Sequence, residues 1–185
     1  MRSIVQVGDP VLRTVAKEIR LADIGSARIR EIISDMKSLL AKEEFGVAIA
    51  APQVGEALRL FVVAGAAALK RKRNERKKDE EESDDSYFDG MPQNDEVYIN
   101  PVLVKMSRGK KEKHEGCLSV RGKWGEVPRA EKATVQAYNE RGEKFERGAS
   151  GFLAHIFQHE MDHLEGILYI DKATAISSDT STETI

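Results

Sequence analysis

Apolar residues at Ile29, Ile32, Ile33, Met36, Leu39 and Leu40 recur at three- and four-residue spacing, which predicts an amphipathic helix over residues 26–42. Elsewhere the period changes. Residues 58–64 form a short continuous apolar run and read as a buried strand. Residues 97–106 and 132–139 alternate as strands do, Asn139-Glu140-Arg141-Gly142 turns the chain, and residues 144–147 return as the second arm of a hairpin. A second helix is expected from Gly151 to Leu164, capped by Ser150 and ended by Gly166. Residues 4–7 read as extended before a turn at Gly8-Asp9-Pro10, and residues 168–170 as a short final strand or turn. Residues 45–53 are so dense in Gly and Ala that they read as a loop and not as a packed strand. An early helix, central strands and a C-terminal helix together indicate an α+β fold.

Residues 70–85 interrupt this pattern. A block of Lys and Arg runs into a block of Asp and Glu with no apolar residue between. Such a run cannot bury enough surface to offset its ordering entropy, so it reads as a solvated loop or hairpin tip. The alternative is a docking surface for a charged partner, although opposite charges in adjacent blocks neutralise each other at distance. After residue 172 the chain is mostly Ser, Thr, Ala and Asp and is expected to fray. The expected organisation is a single catalytic domain over residues 1–171, with the charged insert at about 70–90, and a polar tail over 172–185.

Composition narrows the function classes. A length of 185 residues suits one domain with a sizeable core, and 41% hydrophobic with 32% charged residues is a globular balance. A net charge of -2 gives no electrostatic reason for direct nucleic-acid binding. No apolar run approaches the roughly 20 residues of a membrane span, and residues 1–10 lack the apolar stretch of a signal peptide. One cysteine cannot form an internal disulfide, so a reducing, cytoplasmic setting is expected.

Candidate chemistry sits near the end of the folded part. His159-Glu160-Met161-Asp162-His163 is an H-E-x-x-H motif inside a predicted helix. Four-residue spacing puts both imidazoles on one face, about one turn apart, with Glu160 beside them as a candidate general base. Zincin proteases often add a third ligand downstream, but no His or Cys follows here; Glu165 and Asp171 are possible oxygen ligands, of which Glu165 faces elsewhere on the helix. Cys117, in Glu115-Gly116-Cys117-Leu118-Ser119, is the better third ligand; its alternative is a buried structural thiol. Three protein ligands leave an open position, as in catalytic and not structural sites. Gln53 ends the run from Gly46 and would place an amide donor nearby.

Three segments, Gly46 to Gln53, Glu115 to Ser119 and Gln158 to Gly166, resemble in sequence and order the signature segments of the peptide deformylases, and Gly8-Asp9-Pro10-Val11-Leu12-Arg13 resembles that family's N-terminal segment. The resemblance implies the deformylase fold, with mostly antiparallel sheets around the H-E-x-x-H helix. It implies removal of the formyl group from the N-terminal formylmethionine of newly made polypeptides, by attack of metal-bound hydroxide and release of formate. Cys117, His159 and His163 would bind the metal, Glu160 would act as general acid and base, and Gln53 with the Leu118 N–H would hold the oxyanion. Fe(II) is the expected ion, with Zn(II), Ni(II) or Co(II) as replacements. The expected partners are N-formylmethionyl nascent peptides, with the ribosome a family-level partner.

Substrate contacts are expected from Gly46 and Val47, which could pair with an extended peptide, and from Gly116, Trp124, His155 and Ile156. For His155 the alternative is a satisfied core or rim histidine, for Ile156 (with Leu153 and Phe157) a core position, and for Trp124 packing at the rim. Glu115 reads as a brace for its loop, Asp162 as a partner of a base such as Arg129, and His114 as exposed. The chain departs from the family pattern at Ala48, where Gly is usual, at Arg121, where many bacterial members have Pro, and at Trp124, where an Arg is frequent. These positions bear on peptide affinity and not on the core chemistry. Three rivals stand beside this reading: another H-E-x-x-H metallohydrolase, a deformylase-like protein that binds metal and peptide with little turnover, and a structural-zinc protein, for which a fourth ligand is missing.

Overall fold

In a computed structural model that describes residues 2–76 and 90–178, two antiparallel sheets enclose one helix. The first helix, α1 (Ala27–Lys42), forms as its periodicity predicts; Ser26 caps it by accepting from the Ile29 N–H at 3.3 Å, and its apolar stripe is buried. The five-stranded sheet has the order β1 (Ala48–Ala50), β2 (Leu60–Val63), β3 (Glu96–Met106), β6 (Lys132–Tyr138) and β7 (Lys144–Ser150). The second sheet has the order β4 (Lys110–Cys117), β5 (Val120–Ala130) and β8 (Ala175–Ser178). Every strand pair in both is antiparallel, so the expected α+β class with antiparallel sheets around the C-terminal helix is what the chain adopts.

That helix, α3 (Gly151–Leu164), touches β1, β3, β6 and β7 of the large sheet and β5 of the small one, and it is buried on nearly every face. Leu153, Ala154, Ile156, Phe157, Met161 and Leu164 join the main core with α1 and the large sheet. Tyr98 stacks on Phe61 at 4.5 Å and meets Phe157 edge-on at 5.2 Å. A polar residue on such a helix needs a partner. Gln158 finds one by donating to Ala130 C=O and accepting from Ala130 N–H, both at 2.9 Å, which ties α3 to the end of β5. Gly166 ends the helix as expected: its φ of +70° is open to glycine, and the N–H groups of Gly166 and Ile167 return to His163 and Asp162 as a Schellman motif. Ser150 occupies the N-cap position, but its side chain makes no capping bond.

Three expectations need correction. Residues 45–53 are not all loop, because β1 pairs with β2 there; the Ala side chains are small because both faces are buried. Residues 70–76 are not solvated loop but belong to α2 (Ala66–Arg76), whose Ala66 and Leu69 join the core; residues 77–85 of that expectation lie outside the described residues. The tail does not fray at residue 172, since β8 pairs with residues 123–126 of β5; residues 179–185 lie outside the described residues. The β4–β5 hairpin was not foreseen at all. Residues 168–170 lie at a 3-10 turn (Tyr169–Asp171), matching the turn alternative.

Candidate active site

His159 and His163 project from one face of α3, their rings 5.0 Å apart. Cys117 comes from the last position of β4, where the ladder with β5 slips between Glu115 and Cys117. Its Sγ lies 3.3 Å from His163 Nε2, and the candidate ligand atoms of all three residues lie within 4.8 Å of one another. Two imidazoles and a thiolate are a donor set for a divalent transition metal, and the three could hold one ion. The surroundings fit such a guest. His159 gives its Nδ1 side to Glu115 Oε2 at 2.7 Å, which leaves Nε2 for the ion. Burial holds His163 well below the usual imidazole range, in the neutral form that ligates. Burial also opposes a proton on His159, but Cys117 and Glu115 together push it well above its ordinary value, so an ion entering here displaces that proton.

Glu115 is the brace the sequence suggested. It is buried, accepts from Arg129 Nε at 2.6 Å and Arg129 Nη2 at 3.1 Å, and is contacted by His155 Nε2 at 2.9 Å and His159 Nδ1 at 2.7 Å. Burial alone would raise its carboxyl; the bonds from His155, His159 and Arg129 outweigh that and hold it well below the usual range. Arg129 reaches on to Asp162 at 2.7 Å, which Lys172 also meets at 2.6 Å, as expected of Asp162. His159 is thus locked through a buried network that joins β4, β5 and α3.

Glu160 is buried, and its Oε2 has no hydrogen-bond partner among the described residues. Burial raises its carboxyl to about 7; the His159 charge opposes this and the Glu115 charge adds to it. A carboxyl near neutrality beside a candidate metal cluster can both take and return a proton at physiological pH. Gln53 sits on the 3-10 turn after β1, nearly fully buried. Its Oε1 accepts from Ala50 N–H at 2.8 Å, which turns the amide NH₂ toward Cys117 Sγ at 3.4 Å and Ser119 Oγ at 3.3 Å. Ser119, fully buried, accepts at its Oγ and helps to hold the Gln53 amide, a role that its place in the sequence does not mark. The extended N-terminal segment fastens both loops: Val5 N–H bonds Gln53 C=O at 2.9 Å, Val7 N–H bonds Ser119 C=O at 2.8 Å, and Gln6 Nε2 bonds Leu118 C=O at 3.0 Å.

The candidate substrate residues divide. Gly116 lies under the Trp124 ring; a Cβ there would come within 2.6 Å of Trp124 Cζ3, so any larger residue must displace the ring. Trp124 also stacks on the exposed His114 at 5.1 Å, which places it at the rim over the metal loop. His155 is turned onto Glu115, in line with the satisfied-histidine alternative, and Ile156 with Leu153 and Phe157 belongs to the core cluster. Val47 gives its C=O to Ala64 N–H at 2.9 Å, continuing the β1–β2 pairing, so by strand alternation the backbone groups facing the open edge of β1 are those of Ala48 and Ala50, and the Ala50 N–H is taken by Gln53. Ala48 does not adopt positive φ, so its extra methyl meets no backbone strain. Across from β1, Arg121 reaches Glu43 at 2.9 Å. A cavity of about 460 Å³ lined by Glu18, Asn100, Gln136 and Tyr138 holds none of these side chains.

A helix carrying two imidazoles and a buried carboxyl, with a thiol brought against them from a strand, is an arrangement suited to a single-metal hydrolase. Comparison with known proteins narrows the class. The family model "Polypeptide deformylase" matches residues 1–179. Peptide deformylase 1A, chloroplastic/mitochondrial, of Arabidopsis thaliana is 41% identical over 91% of this chain, which spans 60% of the plant protein's length. The peptide deformylase of Desulforudis audaxviator is 36% identical over 94% of both chains. Among solved structures, a class I type b peptide deformylase of Acinetobacter baumannii bound to Met-Ala-Ser superposes with a TM-score of 0.76 at 30% identity, covering 93% of this chain and 98% of that one. A peptide deformylase of Synechococcus elongatus in complex with actinonin gives 0.72 at 30%, covering 94% and 79%. The chain belongs to the polypeptide deformylase family.

Proposed function

We propose that this chain removes the N-formyl group from the N-terminal formylmethionine of newly made polypeptides, releasing formate. The observation that carries the reading is the buried Glu160 carboxyl beside the cluster of Cys117, His159 and His163, with the Gln53 amide directed at the thiol. Those three residues would hold one divalent ion, and we assign Fe(II), with Zn(II), Ni(II) or Co(II) as replacements that the same N and S donors accept. An ion bound there supplies a Lewis acid and lowers the pKa of bound water toward ~7. Glu160 does the proton work: near neutrality it takes a proton from the attacking water and returns it to the leaving amine. The Gln53 NH₂ donates to the formyl oxygen as charge builds there, with the Leu118 N–H as the second donor.

The peptide adds as a strand at the open edge of β1, meeting Ala48 on one side and the Gly116 loop under Trp124 on the other. The A. baumannii relative bound to Met-Ala-Ser and the S. elongatus relative in complex with actinonin support a peptide as the ligand of this groove. A thiolate ligand and a single cysteine favour the reducing cytoplasm. The test is formate release from formyl-Met-Ala-Ser by protein purified without oxygen and loaded with Fe(II) or Ni(II). Turnover that a chelator abolishes is expected. An inert protein with one equivalent of metal bound would replace this reading with that of a binding-only relative, and cleavage of internal peptide bonds would replace it with that of a protease.

A further inference from the structure

Lys72, in the charged segment that composition assigns to solvent, is buried. Ala66, Leu69 and Lys72 lie three residues apart on one face of α2, and all three are buried. The foot of the insert is closed as well: Gly65 N–H bonds Asp95 Oδ1 at 2.9 Å and Ala66 N–H bonds Pro92 C=O at 2.7 Å. From this base Lys72 Nζ donates to three carbonyls, of Leu40 at 2.7 Å, Glu43 at 2.9 Å and Gly46 at 3.0 Å. The first belongs to the last turn of α1, whose carbonyls lack helical partners and attract a cation. The other two bracket the loop that carries the chain from α1 into β1. The Gly46 N–H returns to Glu43 C=O at 3.1 Å, so both backbone groups of Gly46 are engaged.

This loop forms one wall of the groove in which the peptide is placed, an inference that rests on the deformylase reading above. The opposing wall is the β4–β5 hairpin; Glu43 of the loop meets it at Arg121 at 2.9 Å, and Gln53, on the turn after β1, meets it at Cys117 at 3.4 Å and Ser119 at 3.3 Å. The Glu43–Arg121 pair has Arg121 mostly exposed, and such a pair holds a geometry weakly. Lys72 is the firm anchor, a buried ammonium on two carbonyls of this loop and one of the last turn of α1.

We propose that Lys72 is a positioning residue for the substrate: through it, α2 fixes the loop over residues 43–46, and with it the open edge of β1 that receives the peptide. A loop released from this anchor occupies the pairing geometry for a fraction of the time, and apparent affinity falls by that fraction, so a competent share near one tenth raises KM about tenfold. Glu160 and Gln53, anchored elsewhere, are left in place, so kcat stays within about twofold on the same argument.

The experiment compares full-length wild type with Lys72→Met, both loaded with Ni(II), on formyl-Met-Ala-Ser. Hydrogen exchange is read in parallel over residues 43–50, with α3 as the internal reference. The expected result is a KM rise of about tenfold, kcat nearly unchanged, and faster exchange confined to residues 43–50. A folded Lys72→Met with wild-type KM would overturn the inference whatever its melting temperature, because a lysine that merely caps α1 changes stability and not KM. A wild type inactive on the formyl peptide would overturn the deformylase reading and this inference with it, so the two failures are distinct. Should Lys72→Met not fold, Lys72→Gln, whose shorter amide has two N–H donors for three carbonyls and no charge, takes its place with a smaller KM rise expected and the same faster exchange over residues 43–50; a wild-type KM with wild-type exchange there would also overturn the inference.

Discussion

Replacing Glu115 with Gln tests the network behind the site. The carboxylate faces four donor atoms: Arg129 Nε and Nη2, His155 Nε2 and His159 Nδ1. A glutamine offers one oxygen and turns an NH₂ toward the remaining donors, so about half of the contacts are lost or become repulsive. The Arg129 charge keeps only Asp162, at 2.7 Å. Breaking a buried ion pair by removing one partner destabilises by about 3–5 kcal/mol. For a chain of this size, 1 kcal/mol moves Tm by about 2–4 °C, so Tm should fall by roughly 6–20 °C. Loss of the carboxylate that orients His159 should also weaken metal binding by about 10–100-fold. The pH dependence has a definite sign. Glu115 is held below the ordinary value of 4.5, so its stabilisation is complete above that pH and is lost as pH falls toward the folded-state value. Wild type should therefore lose Tm more steeply below pH 4.5 than Glu115→Gln does. Melts of metal-free protein across pH, with chelator competition for affinity, measure all three. A variant with wild-type Tm and wild-type metal affinity would show that the network neither stabilises the fold nor holds His159.

Glu160→Ala should retain the ion and lose turnover by about 10²–10⁴-fold, as removal of a general acid–base does, whereas Cys117→Ala should lose the ion itself; metal analysis beside formate release separates them. Full activity in Glu160→Ala would remove it from the mechanism. Gly116→Ala forces a methyl to within 2.6 Å of the Trp124 ring, an overpacking that should destabilise by about 1–3 kcal/mol. Adding Trp124→Ala should recover most of that loss in a double-mutant cycle, and strictly additive effects would mean that the ring is not what excludes a side chain at Gly116.

The parts of this molecule that sequence makes legible are those whose own side chains dictate their structure. The α1 helix announces itself because its apolar stripe has the helical period and Ser26 stands where a cap is needed. The H-E-x-x-H pair is legible for the same reason: four-residue spacing on a helix is itself the geometry of ligation. The missed elements are held by partners that the local sequence does not contain. Lys110 to Glu115 carry charged or polar side chains without an apolar alternation, most of them exposed, yet their backbone is paired along β5. All four residues of β8 are exposed and form a strand only because the edge of β5 lies beside them. The small residues of β1 look like a loop because small side chains are what burial on both faces of that edge strand permits. Lys72 is the sharpest instance. A lysine among lysines carries no local mark of burial, and its three acceptors belong to Leu40, Glu43 and Gly46, positions 26 to 32 residues earlier in the chain. Composition registers the charge of the insert, and only the tertiary placement of those carbonyls turns one of its charges into a fastening for the substrate edge.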